Sequence, residues 1–184
     1  MTSSAPRPLL FLDIDGPLIP FSGTPQEYPA QAEGTCSGPC GSGRNPLLSR
    51  IDPAHGPRLA ALPCELVWAT TWTDDANECV APRLGLPPLP LVNWPEPSDT
   101  EEQDERGGLH WKTRTLVDRA AGRPFVWIDD EITDIDRAWI AAHHRGQALL
   151  RRVDARRGLT EADFAAVGEW LHALRGTAPG NSGS

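Results

Sequence analysis

Apolar residues along the chain fall into two alternating patterns. Short continuous runs at 9–14 (LLFLDI), 65–70 (ELVWAT), 124–128 (PFVWI) and 147–153 (QALLRRV) have the length and content of strands, the first three of them buried on both faces. Segments of helical composition lie between and after them. The first runs from Asp52-Pro53, an N-cap followed by Pro at the first helical position, to about Leu62. The second covers 74–84, with Gly85 as its stop. His110 to Ala121 is the third, and Asp134 to His144 the fourth, with Ile135, Trp139 and Ile140 facing inward. A last helix opens at Thr160-x-x-Asp163, a weak capping box because Asp stands in place of Glu or Gln. It puts Phe164, Val167, Leu171 and Leu174 on one face. Strands alternating with helices predict an α/β fold around a parallel sheet.

Length makes this one domain, spanning 1–175 of the 184 residues, with 176–184 (GTAPGNSGS) as a flexible tail. From Pro20 to Arg50 the chain carries five Gly and five Pro in 31 residues, so regular structure is not expected there. A stretch this long without regular structure is uncommon in a compact domain and reads as a candidate lid. Residues 85–98 are interrupted by Pro and read as extended.

The formal charge of −8 argues against general nucleic-acid binding, which needs a basic surface, but not against reading one phosphate group. Six acids lie between Glu96 and Glu105, read here as a solvated loop. Arg151, Arg152, Arg156 and Arg157 form a basic cluster that either offsets that loop or contacts a partner, the first reading being preferred. Sixteen of the 17 basic residues are Arg, and the single lysine is Lys112. No signal-peptide core or membrane span is visible, so the expectation is a cytoplasmic protein that does not engage membranes. Cys36, Cys40, Cys64 and Cys79 are spaced too irregularly for a disulfide framework and are expected to be reduced thiols. Oligomeric state is not encoded in any pattern here.

Three predicted strands end in reactive residues: Asp13 and Asp15 with Gly16 behind them, Thr70 with Thr71, and Asp129 with Asp130. The carboxyl ends of parallel strands share one edge, so these groups can converge in one crevice. Clustered carboxylates repel one another unless a cation neutralises them, and oxygen-only ligands select a hard ion such as Mg²⁺. A carboxylate beside that ion can attack a phosphoryl group, and a second can move protons. A hydroxyl and an ammonium can hold the phosphoryl oxygens.

These segments resemble the haloacid dehalogenase (HAD) superfamily of phosphohydrolases. LFLDIDGPL is similar to its first motif, LVWATTW to its second, HWKTRTL supplies the lysine of its third, and FVWIDDEITDID is similar to its fourth. The resemblance spans residues 9 to about 153 and implies a three-layer Rossmann-like domain with a central parallel sheet. It implies a Mg²⁺-dependent phosphatase working through an aspartyl-phosphate. Asp13 would be nucleophile and Mg²⁺ ligand, and Asp15 the general acid/base with its backbone carbonyl on the metal. Thr70, rather than Thr71, would bond the phosphoryl group. Lys112 would stabilise charge and orient Asp13. Asp129 would bind Mg²⁺ directly, and Asp130 through water or by pairing with Lys112. Asp134 is a fallback acid whose plainer role is N-cap of the next helix.

Two features depart from the common pattern. Pro17 follows Gly16, which stiffens the loop after the first motif. No segment has room to be a large cap domain, so the substrate is a phosphorylated small molecule or a larger carrier. Arg44 in the 20–50 loop is a candidate to meet an anionic substrate, against the plainer role of surface solubility. Trp72 either lines the pocket or packs. A receiver domain has its acids, Thr and Lys in a different order, and a sugar-nucleotide transferase leaves Thr70, Lys112 and Asp129 without a role. A phosphotransferase using the same intermediate, and an inactive HAD-fold binding or regulatory protein, remain as alternatives.

Overall fold

The structure is a computed structural model that describes residues 6–21, 46–96, 98, 103–104 and 106–176. Arg44, Cys36, Cys40, the tail beyond 176 and most of the 20–50 and 96–105 segments lie outside the described residues.

Four strands form an all-parallel sheet: β1 (Leu9–Leu12), β2 (Glu65–Trp68), β3 (Phe125–Asp129) and β4 (Ala148–Arg152), in the order β2-β1-β3-β4. After β1 the chain leaves toward β2, and after β3 it leaves toward β4. The point where these connections diverge lies between β1 and β3, where an open α/β sheet forms a crevice at its strand ends. The segment around Leu91 runs beside Trp68 in a further parallel bridge, so the extended reading of 85–98 holds there.

Successive residues of each inner strand point to opposite faces. Leu10, Leu12, Val126 and Ile128 enter one core; Leu9, Phe11, Phe125 and Trp127 enter the other. The first face is covered by α1 (His55–Ala61), by a π-helical turn (Ala76–Val80) running into α2 (Ala81–Leu84), and by α5 (Glu161–Gly176). The second is covered by α3 (Lys112–Ala120) and α4 (Asp134–His143). The result is the expected three-layer α/β arrangement.

The helix boundaries sharpen the sequence reading. Asp52 does accept a backbone bond from Ala54 (2.9 Å), but the helix proper begins at His55. Gly85 ends α2 in the left-handed conformation, as a helix stop should. Residues 76–80 are π-helical rather than α-helical; here the Asn77 side chain bonds both the N–H and the carbonyl of Leu89 and receives the Trp68 indole. Thr133, not Asp134, caps α4, and Asp134 is the exposed first residue of that helix. This phase turns Asp136 and Ile140 inward and leaves Ile135, expected inside, 47% exposed. Cys79 is disulfide-bonded, against the expectation of reduced thiols, while Cys64 is a buried free thiol. Arg151 pairs with Asp163, and Arg152 donates to the Asp130 carbonyl.

The Thr160–Asp163 pair opens α5 as the sequence pattern suggested. One Asp163 oxygen accepts the Thr160 N–H (2.8 Å) and hydroxyl (2.6 Å); the other accepts Arg151 (2.6 Å). Burial acts to raise this carboxyl, but these donors outweigh it and hold it below its ordinary value of 3.8. A carboxyl with a depressed folded value contributes stability above the unfolded value and loses it as pH falls through the folded one. Asp163→Asn is therefore expected to cost about 1–2 kcal/mol at pH 7. It should also flatten the loss of stability below about pH 4, as measured by urea unfolding across pH. An unchanged acid limb would contradict the assignment.

Candidate active site

The site grows from the register of β1 and β3. Leu12 sits opposite Ile128, and the Asp13 N–H continues the ladder onto the Ile128 carbonyl (3.1 Å). Asp13 and Asp129 therefore leave the same sheet edge side by side, both buried. Lys112, the first residue of α3, places its ammonium between them. Nζ donates to Asp13 Oδ2 and to Asp129 Oδ2, each at 2.8 Å, and is itself buried.

The remaining oxygens are also held. Asp13 Oδ1 accepts the Ile14 N–H (2.8 Å). Asp129 Oδ1 accepts the Glu131 N–H (3.0 Å), and its Oδ2 also receives the Trp127 indole (3.2 Å). Burial would lower the pKa of the Lys112 ammonium, but the two carboxylates outweigh it and raise it, so the lysine stays charged. Burial pushes the Asp13 carboxyl up to about 7; the Asp129 charge adds to this, and Lys112 opposes it. Asp130 is also raised, by burial first and then by the Asp129 charge.

Beyond Asp13 the chain turns tightly, with Leu18 and Ile19 N–H groups both on the Ile14 carbonyl. Gly16 has φ +80, and a Cβ there would fall 2.4 Å from Asp130 Oδ1. The glycine thus lets the Asp130 carboxyl lie against the first-motif loop. Asp13, Asp129 and Asp130 each offer an oxygen within 4.8 Å of the others. Three converging carboxylates, two of them with raised pKa values, suit a hard divalent cation. His110, Asp129 and Glu131 form a second such group. There, however, His110 Nδ1 already accepts the Lys112 N–H (3.1 Å), and Nε2 faces Glu131 (3.1 Å).

Thr70 follows β2 and is buried, whereas Thr71 is exposed. The Thr70 carbonyl accepts the Trp94 indole (2.9 Å). Asp15 is half-buried, and its Oδ2 accepts the Trp72 indole (2.8 Å). Trp72 therefore touches the proposed acid/base as well as packing on the core. Trp94 meets Trp111 edge-on at 4.7 Å, and Trp111 lies 5.6 Å from the Lys112 ammonium. Lys112 pairs with Asp129; the Asp130 pairing expected as one option is not the one formed.

Sequence reasoning passed over Asp136. Its Oδ1 accepts the His110 N–H (2.8 Å) and the Thr113 hydroxyl (2.7 Å). Its Oδ2 accepts the Thr133 N–H (2.8 Å) and hydroxyl (2.7 Å). The spacing Thr133-x-x-Asp136 repeats the Thr160-x-x-Asp163 signature and was the available signal.

A family described as the HAD domain in Swiss Army Knife RNA repair proteins matches residues 9–164. The chain belongs to this family. The match covers all four strands, the Asp13–Lys112–Asp129 bridge and the start of α5, so HAD superfamily membership and the α/β fold rest on most of the HAD domain. Neither curated proteins nor solved structures gave a significant match. No helix among the described residues is long and apolar enough to cross a membrane.

Gly16→Ala should strain the left-handed position and drive the new methyl into Asp130. The expected cost is about 2 kcal/mol by urea unfolding. A crystal structure of the variant should show the Asp130 side chain turned away from Asp13; an unmoved Asp130 would refute the packing role given to Gly16.

Proposed function

We propose that this HAD domain hydrolyses phosphate monoesters through an aspartyl-phosphate on Asp13, with Mg²⁺ as cofactor. The observation that carries the reading is the buried Lys112 ammonium, 2.8 Å from the carboxylates of both Asp13 and Asp129 at the divergence point of the sheet. HAD membership supports phosphoryl-transfer chemistry in general.

Asp13 attacks phosphorus, and the bond to the leaving oxygen breaks. Asp15 gives its proton to that oxygen. Asp15 then takes a proton from water, which attacks the aspartyl-phosphate; phosphate leaves and Asp13 is restored. Lys112 holds Asp13 Oδ2 and so fixes the orientation of the nucleophile. Trp72 donates to Asp15 Oδ2 and fixes the proton carrier. The Thr70 hydroxyl binds a phosphoryl oxygen. Asp13, Asp129, Asp130 and the Asp15 carbonyl would hold Mg²⁺, which supplies charge neutralisation for the phosphoryl group.

The family description directs attention to RNA termini as substrate. The half-buried Trp72, Trp94 and Trp111 beside the site support that choice, because indoles stack on bases without sequence preference. The net charge of −8 fits recognition of one terminal phosphate rather than of a long duplex.

The test is phosphate release, with and without Mg²⁺, from oligoribonucleotides carrying a 3′- or 5′-phosphate and from a generic aryl phosphate. Asp13→Asn should lower kcat on the order of 10⁴-fold or more. Beryllium fluoride should bind at Asp13 in a crystal. Wild-type inactivity on both RNA ends and small esters would overturn the hydrolase reading; activity on small esters alone would overturn only the RNA-end substrate.

A further inference from the structure

Lys112 and Asp129 come from different elements, and their meeting needs a fixed relation between the start of α3 and the chain leaving β3. The buried Asp136 carboxylate supplies a bridge between these two segments. Its Oδ1 binds the residues on either side of Lys112, His110 through the backbone N–H and Thr113 through the hydroxyl. Its Oδ2 binds Thr133, the cap of the helix that follows the acidic strand. Both Asp136 and Thr113 are fully buried. Burial would raise the Asp136 carboxyl, but its donors, led by Thr113 and Thr133, outweigh it and hold it ionised.

We propose that Asp136 is a positioning residue for Lys112. Through Thr113 and His110 it sets where the ammonium stands between Asp13 and Asp129, a role separate from its capping of α4. This rests on the phosphatase reading for its catalytic consequence, though the placement of the lysine can be read without any turnover. The two halves of the carboxylate's work are separable. Thr113→Val deletes one of the two bonds on Oδ1, the Thr113 hydroxyl, and leaves the His110 N–H and both Thr133 bonds in place. Thr133→Ala deletes the two bonds of the Thr133 hydroxyl, to Oδ2 and from the Asp136 N–H, but leaves the Thr133 N–H on Oδ2 and the His110 and Thr113 bonds on Oδ1.

The experiment uses two readouts on the full chain. The first is kcat and KM for aryl phosphate hydrolysis with Mg²⁺. The second is the proton–carbon correlation of ¹³Cε-labelled lysine, which gives one side-chain signal because the chain has a single lysine. Thr113→Val should lower kcat about tenfold and Asp136→Asn on the order of a hundredfold, with KM changed less than kcat. Both should shift or broaden the lysine signal, and Thr113→Ser should restore both readouts. Thr133→Ala should lower the melting temperature by about 2–4 °C while leaving kcat and the lysine signal in place.

If all the variants lose activity only in proportion to lost stability, or the lysine signal is the same in Thr113→Val as in wild type, the positioning role is overturned. Asp136→Asn keeps the side-chain size and serves if Thr113→Val does not fold. A wild type without hydrolase activity would sink the phosphatase reading, and the lysine signal would then decide this proposal alone.

Discussion

One buried ammonium between two buried carboxylates organises this domain. Lys112 joins Asp13 and Asp129 at 2.8 Å on each side, and all three groups are shielded from water. Removing such charges from water costs several kcal/mol per ion, so the arrangement persists only with good geometry and with the remaining oxygens bonded. The sheet provides the geometry: parallel neighbours in register put residues 13 and 129 at the same height on one edge. The loops provide the other bonds, from Ile14, Glu131 and the Trp127 indole. Local charge remains unbalanced even so, because Asp130 is pressed toward the same place by the Gly16 turn. The raised values of Asp13 and Asp130 reflect burial first and carboxylate crowding second, and a cation would relieve the crowding.

Much of this is visible in the chain before it folds. Four apolar runs announce the strands, and the acids and threonine that follow three of them mark their carboxyl ends. Lys112 stands out because every other basic residue is Arg. Asp136 was harder to see. A carboxylate in the first turn of a helix is the commonest solvated acid, favoured by the helix dipole. What makes this one different is its position two residues beyond an exposed Asp134, a phase set by the Thr133 cap. The same one-residue question of where the helix starts explains Ile135, whose apolar character suggested the core but which the observed phase turns outward. Periodicity finds the helix; the cap decides which face is which.

The aromatic residues divide by what their indoles touch. Trp68 and Trp127 are wholly buried in strands, and each indole N–H reaches a polar side chain, Asn77 and Asp129. Trp72 and Trp94 are half-exposed and direct theirs toward the site, to Asp15 and the Thr70 carbonyl. Sequence position marks Trp68 and Trp127 as core but leaves Trp72 and Trp94 open in a chain with seven Trp. Their hydrogen bonds place them, because an indole has a single donor and so records the one polar neighbour it was built against.

The rarity of lysine here has a physical reading as well. Arginine presents a planar fork suited to one carboxylate gripped by two parallel bonds, and Arg114 sits on Asp104 in that manner. Between Asp13 and Asp129 the need is different: one donor atom must face two carboxylates arriving from adjacent strands. An ammonium is compact, and its three N–H bonds diverge from a single nitrogen, so it can serve both from one point. A guanidinium spreads its donors over a planar fork instead of presenting them from one atom. A diverging point charge also depends more on where its stem is anchored, because nothing in its own shape fixes its direction. That dependence makes the bonds at His110 and Thr113, on either side of Lys112 and both ending on Asp136, part of how the charge is placed rather than ornaments of a helix start.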